Sequence, residues 1–142
     1  MKSDIICVMS YLLKNHEGDE FSFTIWYWQP LLRLAEKYGW THPGTLPPEN
    51  YSGPPKWNGN YWWNAGQIVT DEDALNLASA LTKALQNLPN RKVKVTTGYH
   101  LTNKQRKNHN WAPPEQFFSG PTGKATVKEF LQFCKKGGFE IF

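Results

Sequence analysis

Between Thr41 and Lys56 the chain carries five prolines, Pro43, Pro47, Pro48, Pro54 and Pro55, with Gly44 and Gly53 among them. Proline removes a backbone donor and fixes φ, and glycine favours turns, so this stretch reads as an ordered loop rather than a helix or strand. The block that follows runs Trp57-Asn58-Gly59-Asn60-Tyr61-Trp62-Trp63-Asn64-Ala65-Gly66-Gln67 and holds three of the chain's seven tryptophans. Asn58-Gly59, set between Trp57 and Tyr61, predicts a hairpin-type turn. Asn64-Ala65-Gly66 predicts a second turn before Gln67-Ile68-Val69. On a flat hairpin Trp57, Tyr61 and Trp63 share one face and Trp62 takes the other, which leaves at least one large ring partly exposed.

Regular structure is expected on either side of this block. Residues 4–14 form an apolar segment that fits a strand or a short helix, since length does not separate the two. Asn15 to Glu20 is turn-like, and Phe21, Phe23 and Ile25 alternate with Ser22 and Thr24 as in a strand. A helix is predicted over about Tyr27 to Tyr38, regular from near Gln29 because Pro30 is tolerated only in a first turn. Gly39 is its stop signal, with Trp40 folding back. The strongest helix start is Thr70, a good N-cap followed by Asp71, Glu72 and Asp73, which complement the helix dipole. Asp73 at the third position approximates a capping box. Ala74, Leu77, Ala78, Leu81, Ala84 and Leu85 supply the apolar face, and the helix ends before Pro89.

Further on, Val93 and Val95 alternate with lysines and threonine as in an edge strand, and residues 90–114 read as a basic loop or insertion. Thr126-Val127-Lys128-Glu129 predicts a capping box opening a third helix, with Phe130, Leu131, Phe133 and Cys134 on its buried side. Gly137-Gly138 stop it, and Phe139 to Phe142 close as a strand or docked tail. The expectation is one α+β domain over 1–142, with about three helices and a few short antiparallel strands. No internal repeat is visible.

The chain's 142 residues suffice for one domain with a real core, and an aromatic share of 15% lets large rings replace a bigger aliphatic count. No apolar run approaches the roughly 20 residues of a membrane helix. The apolar N-terminal residues lack a small-x-small cleavage site, so they are read as part of the fold and the protein as cytoplasmic. Cys7 and Cys134 lie in apolar contexts and read as buried thiols, with a bridge between the chain ends as the alternative. The net charge of +4 is unevenly spread: from Ala74 to Pro114 there are seven Lys or Arg and no acid.

Catalytic and cofactor signatures are absent from the sequence. Gly120-Pro121-Thr122-Gly123-Lys124-Ala125-Thr126 invites comparison with a phosphate-binding loop. However, the expected first Gly falls at Phe118 and Ala follows the Lys, so no hydroxyl is placed for magnesium. His16, His42, His100 and His109 have no partner at metal-ligand spacing, so no metal or cofactor is expected. Asp71 and Asp73 are accounted for by capping, and no carboxylate pair stands out for hydrolysis.

Several segments resemble a family of small bacterial proteins of unknown function, found especially in cyanobacteria. They are Tyr38-Gly39-Trp40, Pro43-Gly44-Thr45 with Pro47-Pro48, and Trp57-Asn58-Gly59-Asn60-Tyr61. Gln67-Ile68-Val69-Thr70 with Asp73-Ala74 and Leu77-Ala78, then Phe117-Phe118-Ser119-Gly120, continue the likeness. It ends with Phe133-Cys134 and Gly137-Gly138-Phe139-Glu140-Ile141. The resemblance spans roughly residues 21–89 and 115–142. Where such relatives have Phe-Ser-Asn-Asp after the tyrosine, this chain has Trp62-Trp63-Asn64-Ala65, so an acid is missing. The resemblance implies a single fold and a bacterial origin, and no site residues.

Functionally, the expectation is a non-enzymatic protein that works by contact with another protein, in the manner of an immunity or accessory factor. Its binding residues are Trp57, Asn58, Asn60, Tyr61, Trp62, Trp63, Asn64 and Gln67, since Trp and Tyr are favoured interface anchors. The alternative is a carbohydrate or other small-ligand module using the same block. A further alternative is an anion or nucleic-acid site at Arg91, Lys92, Lys94, Lys104, Arg106 and Lys107, although the segment has few aromatics for stacking on bases. Ordinary core packing competes with every reading of the tryptophans, and a solvated loop with the basic one.

Overall fold

The computed structural model describes residues 10–94 and 113–142. Among these residues four strands and four helices follow one another: β1 (Ser10–Asn15), β2 (Glu20–Thr24), α1 (Ile25–Lys37), β3 (Gln67–Val69), α2 (Asp71–Leu85), α3 (Pro114–Phe117), α4 (Gly120–Lys135) and β4 (Phe139–Ile141). The strands make one antiparallel sheet in the order β2-β1-β4-β3. This is the expected α+β architecture, with a short fourth helix added.

Alternation along the strands decides which side carries the core. Tyr11, Leu13, Phe23, Val69, Phe139 and Ile141 are buried, and the register places Leu13 opposite Ile141 and Ile141 opposite Gln67. On this face lie Trp28, Leu31 and Leu32 of α1, Leu77 and Leu81 of α2, and Val127, Phe130 and Cys134 of α4, all in one core cluster. Aromatic rings dominate its centre. Phe130 sits edge-on to Trp28, Phe23 and Phe139 at centroid distances of 5.9, 5.3 and 6.1 Å, a geometry that favours aromatic pairs.

Residues 10–15 are strand, which resolves the open reading for that part of the N-terminal segment; residues 1–9, including Cys7, lie outside the described residues. The turn into β2 is held by Asn15, whose Oδ1 accepts from the backbone N–H of Glu17 and Asp19 at 3.0 and 2.9 Å. Helix α1 starts at Ile25, earlier than expected, so Pro30 stands in its second turn. Burial of Trp28, Leu31, Leu32, Leu34 and Ala35 on its inner side stabilises the helix despite the lost donor. Its end is as expected: Gly39 takes φ +109, its N–H bonds the carbonyl of Glu36, and the Trp40 N–H returns to Ala35 at 3.0 Å. Those two bonds form a Schellman-type stop that only a residue at ease in left-handed backbone accepts readily, and they drive Trp40 into the core.

Helix α2 begins as predicted, with Thr70 Oγ1 accepting from the Asp73 N–H at 3.2 Å. Helix α4 corrects the expectation of a capping box at Thr126. It starts at Gly120 with Pro121 in the first turn, and Thr126 lies inside it, its hydroxyl bonded to the carbonyl of Thr122 at 3.0 Å. Pro121 is pre-set for a helix start, which extends the helix by a turn and a half upstream of the capping-box pattern. Val93 and Lys94 are not in a strand, and residues 95–112 lie outside the described residues.

Candidate functional site

The aromatic block forms no hairpin. From Trp57 to Gly66 the backbone is irregular, and side chains, not a strand ladder, satisfy its polar groups. Four consecutive carbonyls are each held by a different residue. Thr45 Oγ1 donates to Asn60 O at 2.6 Å, Trp28 Nε1 to Tyr61 O at 2.8 Å, Tyr11 Oη to Trp62 O at 2.6 Å, and Gln67 Nε2 to Trp63 O. On the donor side, Asn60 Oδ1 accepts from the N–H groups of both Trp62 and Trp63 at 3.0 and 2.9 Å, and Gln67 Oε1 accepts from the Ala65 N–H. The Asn-Gly signal does not yield a hairpin: the carbonyls of residues 60–63 bond to Thr45, Trp28, Tyr11 and Gln67 instead of to a facing strand. An Asn or Gln side chain is well suited to this task, having both donor and acceptor atoms.

Tyr61 points inward. Its hydroxyl donates to Asp73 Oδ2 at 2.7 Å and accepts from the Gly44 N–H at 3.0 Å. The other oxygen of Asp73 accepts from Trp40 Nε1 at 2.8 Å, and the Trp40 and Tyr61 rings meet edge to face at 5.2 Å. Asp73 is 1% exposed. Burial raises its carboxyl above the usual carboxylate range, against the opposing pull of the bonds from Tyr61 and Trp40. Burial, then the bond to Asp73, also pushes the Tyr61 hydroxyl well up. Asp73 was expected to act as a cap. Its N–H does take the Thr70 cap, but its carboxylate is a tertiary anchor. Asp71 behaves similarly, accepting from the Gly138 N–H at 2.7 Å. Asp73 is buried and reads as part of the frame, whereas Asp71 makes its bond from an exposed position.

Trp62 and Trp63 point outward, 40% and 44% exposed. Trp63 meets Trp57 edge to face at 5.6 Å, and Trp57 meets Tyr51 in the same way at 5.3 Å. Trp57 is half-buried, and its Nε1 donates to Thr45 O at 2.9 Å. Of the expected binding residues, Asn58, Trp62, Trp63 and Asn64 are exposed, Trp57 and Asn60 are half-buried, and Tyr61 and Gln67 are buried. The flat-hairpin division therefore fails: Tyr61 parts from Trp57 and Trp63, and Trp62 joins the exposed side. Tyr61 and Gln67 hold the loop and do not face solvent. The residues missed by sequence reasoning are Tyr11, Trp28, Thr45 and Asp73, whose polar atoms carry the loop; their only advance signal was polar chemistry on otherwise apolar positions.

Of the basic set, Arg91, Lys92 and Lys94 are exposed, while Lys104, Arg106 and Lys107 lie outside the described residues. Cys134 is fully buried, and burial raises its thiol well above the ordinary value, which suppresses the reactive thiolate. Among the described residues there is no group of three His, Cys, Asp or Glu placed to hold a metal ion, and no helix long and apolar enough to cross a membrane. No protein-family model, curated protein or solved structure matches this chain.

Proposed function

We propose that the protein acts by contact with another protein, with Trp62 and Trp63 as anchors and Trp57, Asn58 and Asn64 around them. The carrying observation is the grip on residues 60–63: four successive carbonyls are fixed from four sites, and the product of that fixation is two tryptophan rings in solvent. A backbone held in place before binding loses little freedom on association, and Trp is prominent among interface anchors. The role is that of a non-enzymatic accessory or immunity factor in the bacterial cytoplasm. The bacterial setting rests on the resemblance to the small cyanobacterial-type proteins.

The carbohydrate alternative is less well supported on two counts. Trp57 and Trp63 stand at 79° to each other rather than offering one flat platform. Two of the four amides that would read hydroxyl groups are also engaged within the loop: Asn60 Nδ2 donates to Asn58 Oδ1, Asn60 Oδ1 takes two N–H groups, and both polar atoms of Gln67 are used.

The test is affinity capture from bacterial lysate by the tagged protein beside a Trp62→Ala, Trp63→Ala variant whose circular dichroism is unchanged. A protein enriched by the wild type and lost with the variant is the expected outcome. Full retention of every captured protein by the folded variant removes these anchors. Saturable quenching of Trp fluorescence by a glycan, with no protein captured, replaces the reading with the carbohydrate one.

A further inference from the structure

A second candidate site lies away from the aromatic loop and does not depend on it. Where β2 leads into α1, opposite the elbow between α3 and α4, the surface encloses a cleft of about 580 Å3, a size typical of small-ligand pockets. Its wall is aromatic. Phe23, Phe117 and Phe118 are buried beneath it, and the exposed ring of Tyr27 stands 6.1 Å from that of Phe118.

Its charge is one-sided. Lys92 and Lys94 line it, and no Asp or Glu does among the described residues. The first turn of α4, which also borders the cleft, carries no acid, so the positive end of that helix dipole adds to the lysines instead of being neutralised.

The backbone on either side of Lys92 is held there by the start of α4. The Gly120 N–H donates to Pro89 O and the Val93 N–H to Ser119 Oγ, both at 2.8 Å, and Lys124 Nζ bonds Asn90 Oδ1. Residues 89–93 are thereby strapped across the start of α4. The strap runs so close that a Cβ on Gly120 would lie 3.1 Å from the Lys92 backbone, at a residue with φ +75. Glycine is the residue that permits both the approach and the backbone conformation. The segment set aside as a failed phosphate loop thus builds one side of a positively charged, aromatic-walled cleft by a different route.

We infer that this cleft binds a small planar aromatic anion, its ring against the exposed ring of Tyr27 and its phosphate or carboxylate at Lys92 and Lys94. An aromatic face accounts for the ring, and an acid-free pair of ammonium groups for the anion.

The experiment is a titration of the whole protein, followed by amide NMR shifts. The probes are adenosine monophosphate, phenyl phosphate and indole-3-acetate, with adenosine and inorganic phosphate as controls. Saturable shifts confined to residues 92–94 and 116–123 are expected for at least one aromatic anion, with both controls weaker by about tenfold or more. Lys92→Ala with Lys94→Ala, both on exposed side chains, should weaken that probe by about tenfold and flatten its salt dependence. Tyr27→Ala should weaken the aromatic anion and leave inorganic phosphate unchanged, whereas the Trp62/Trp63 variant should bind like the wild type. The inference is overturned if no aromatic anion gives saturable shifts at the cleft at millimolar concentration. Equal affinity in the folded double-lysine variant, or equal affinity for adenosine, overturns it as well.

Discussion

Tyr61 and Trp62 are adjacent in the chain, yet one is 3% exposed and the other 40%. Around Tyr61 the side chains are what is bonded: its hydroxyl, the Trp40 indole and both oxygens of Asp73 are paired in the interior. At Trp62 and Trp63 the backbone is what is bonded, through carbonyls and N–H groups that stay when the side chain is cut away. The two halves of one loop therefore divide the work. The inward half should carry stability and the outward half should carry recognition, because a substitution can orphan a buried partner only on the inward side.

The largest effect on that contrast is expected at Asp73. Asp73→Ala leaves the Trp40 indole N–H and the Tyr61 hydroxyl buried without their acceptor, at a cost of about 2–5 kcal/mol in urea unfolding. A loss below about 1 kcal/mol would mean that the interior half does not anchor the loop. Next comes Tyr61→Phe, which keeps the ring and removes one hydroxyl that bonds both Asp73 and the Gly44 N–H. It should cost about 1–3 kcal/mol, less than Asp73→Ala, and a larger loss than at Asp73 would reverse the ranking.

The same anchor has a pH signature. The folded-state carboxyl of Asp73 titrates above its ordinary 3.8, so the folded protein holds that proton more tightly than the unfolded chain does. Its contribution to stability is greatest below pH 3.8 and is lost as pH rises through the raised titration point. The stability of the wild type minus that of Asp73→Asn should therefore fall as pH climbs from 3.8 and level off once the carboxylate is charged. Asp19 and Glu115, whose carboxyls are lowered, work in the opposite sense, but they are common to both proteins and cancel. A difference that rises over this range contradicts the assignment.

The smallest stability effect belongs to the outward half. Trp62→Ala with Trp63→Ala should change unfolding free energy by no more than about 1 kcal/mol, while acrylamide quenching of Trp fluorescence should drop as the exposed emitters disappear. If the double variant instead unfolds as readily as Asp73→Ala, the rings are packing elements and the interface reading fails.

Local signals transferred well where one element could satisfy them alone. Thr70 capped α2, Gly39 ended α1 and sent Trp40 inward, and Asn15 closed the first turn, each through bonds within a few residues. Competing local signals transferred less well. Thr126 and Glu129 have the spacing of a capping box, but Pro121 already starts the helix upstream, and the sequence contains both cues with no rule for ranking them. An exposed ring in the Trp57–Gln67 block was legible, since Trp62 and Trp63 are exposed, but not which of the block's side chains turn out.

From the sequence alone follow the α+β class, the capped amphipathic helix α2, the irregular course of residues 41–56 and the need to hide most of the aromatic surface, because these depend on backbone limits and on composition. Tertiary structure alone decided that Tyr61 and Gln67 turn inward, that Trp62 and Trp63 turn out, and that Asp73 leaves its cap role to bind two rings. It also brought Lys92 and Lys94 to the start of α4. The bonds of Tyr61 to Asp73, Tyr11 to Trp62 and Val93 to Ser119 join partners 12 to 51 residues apart along the chain, and a hydrogen bond between distant residues leaves no periodic mark in the sequence that specifies it.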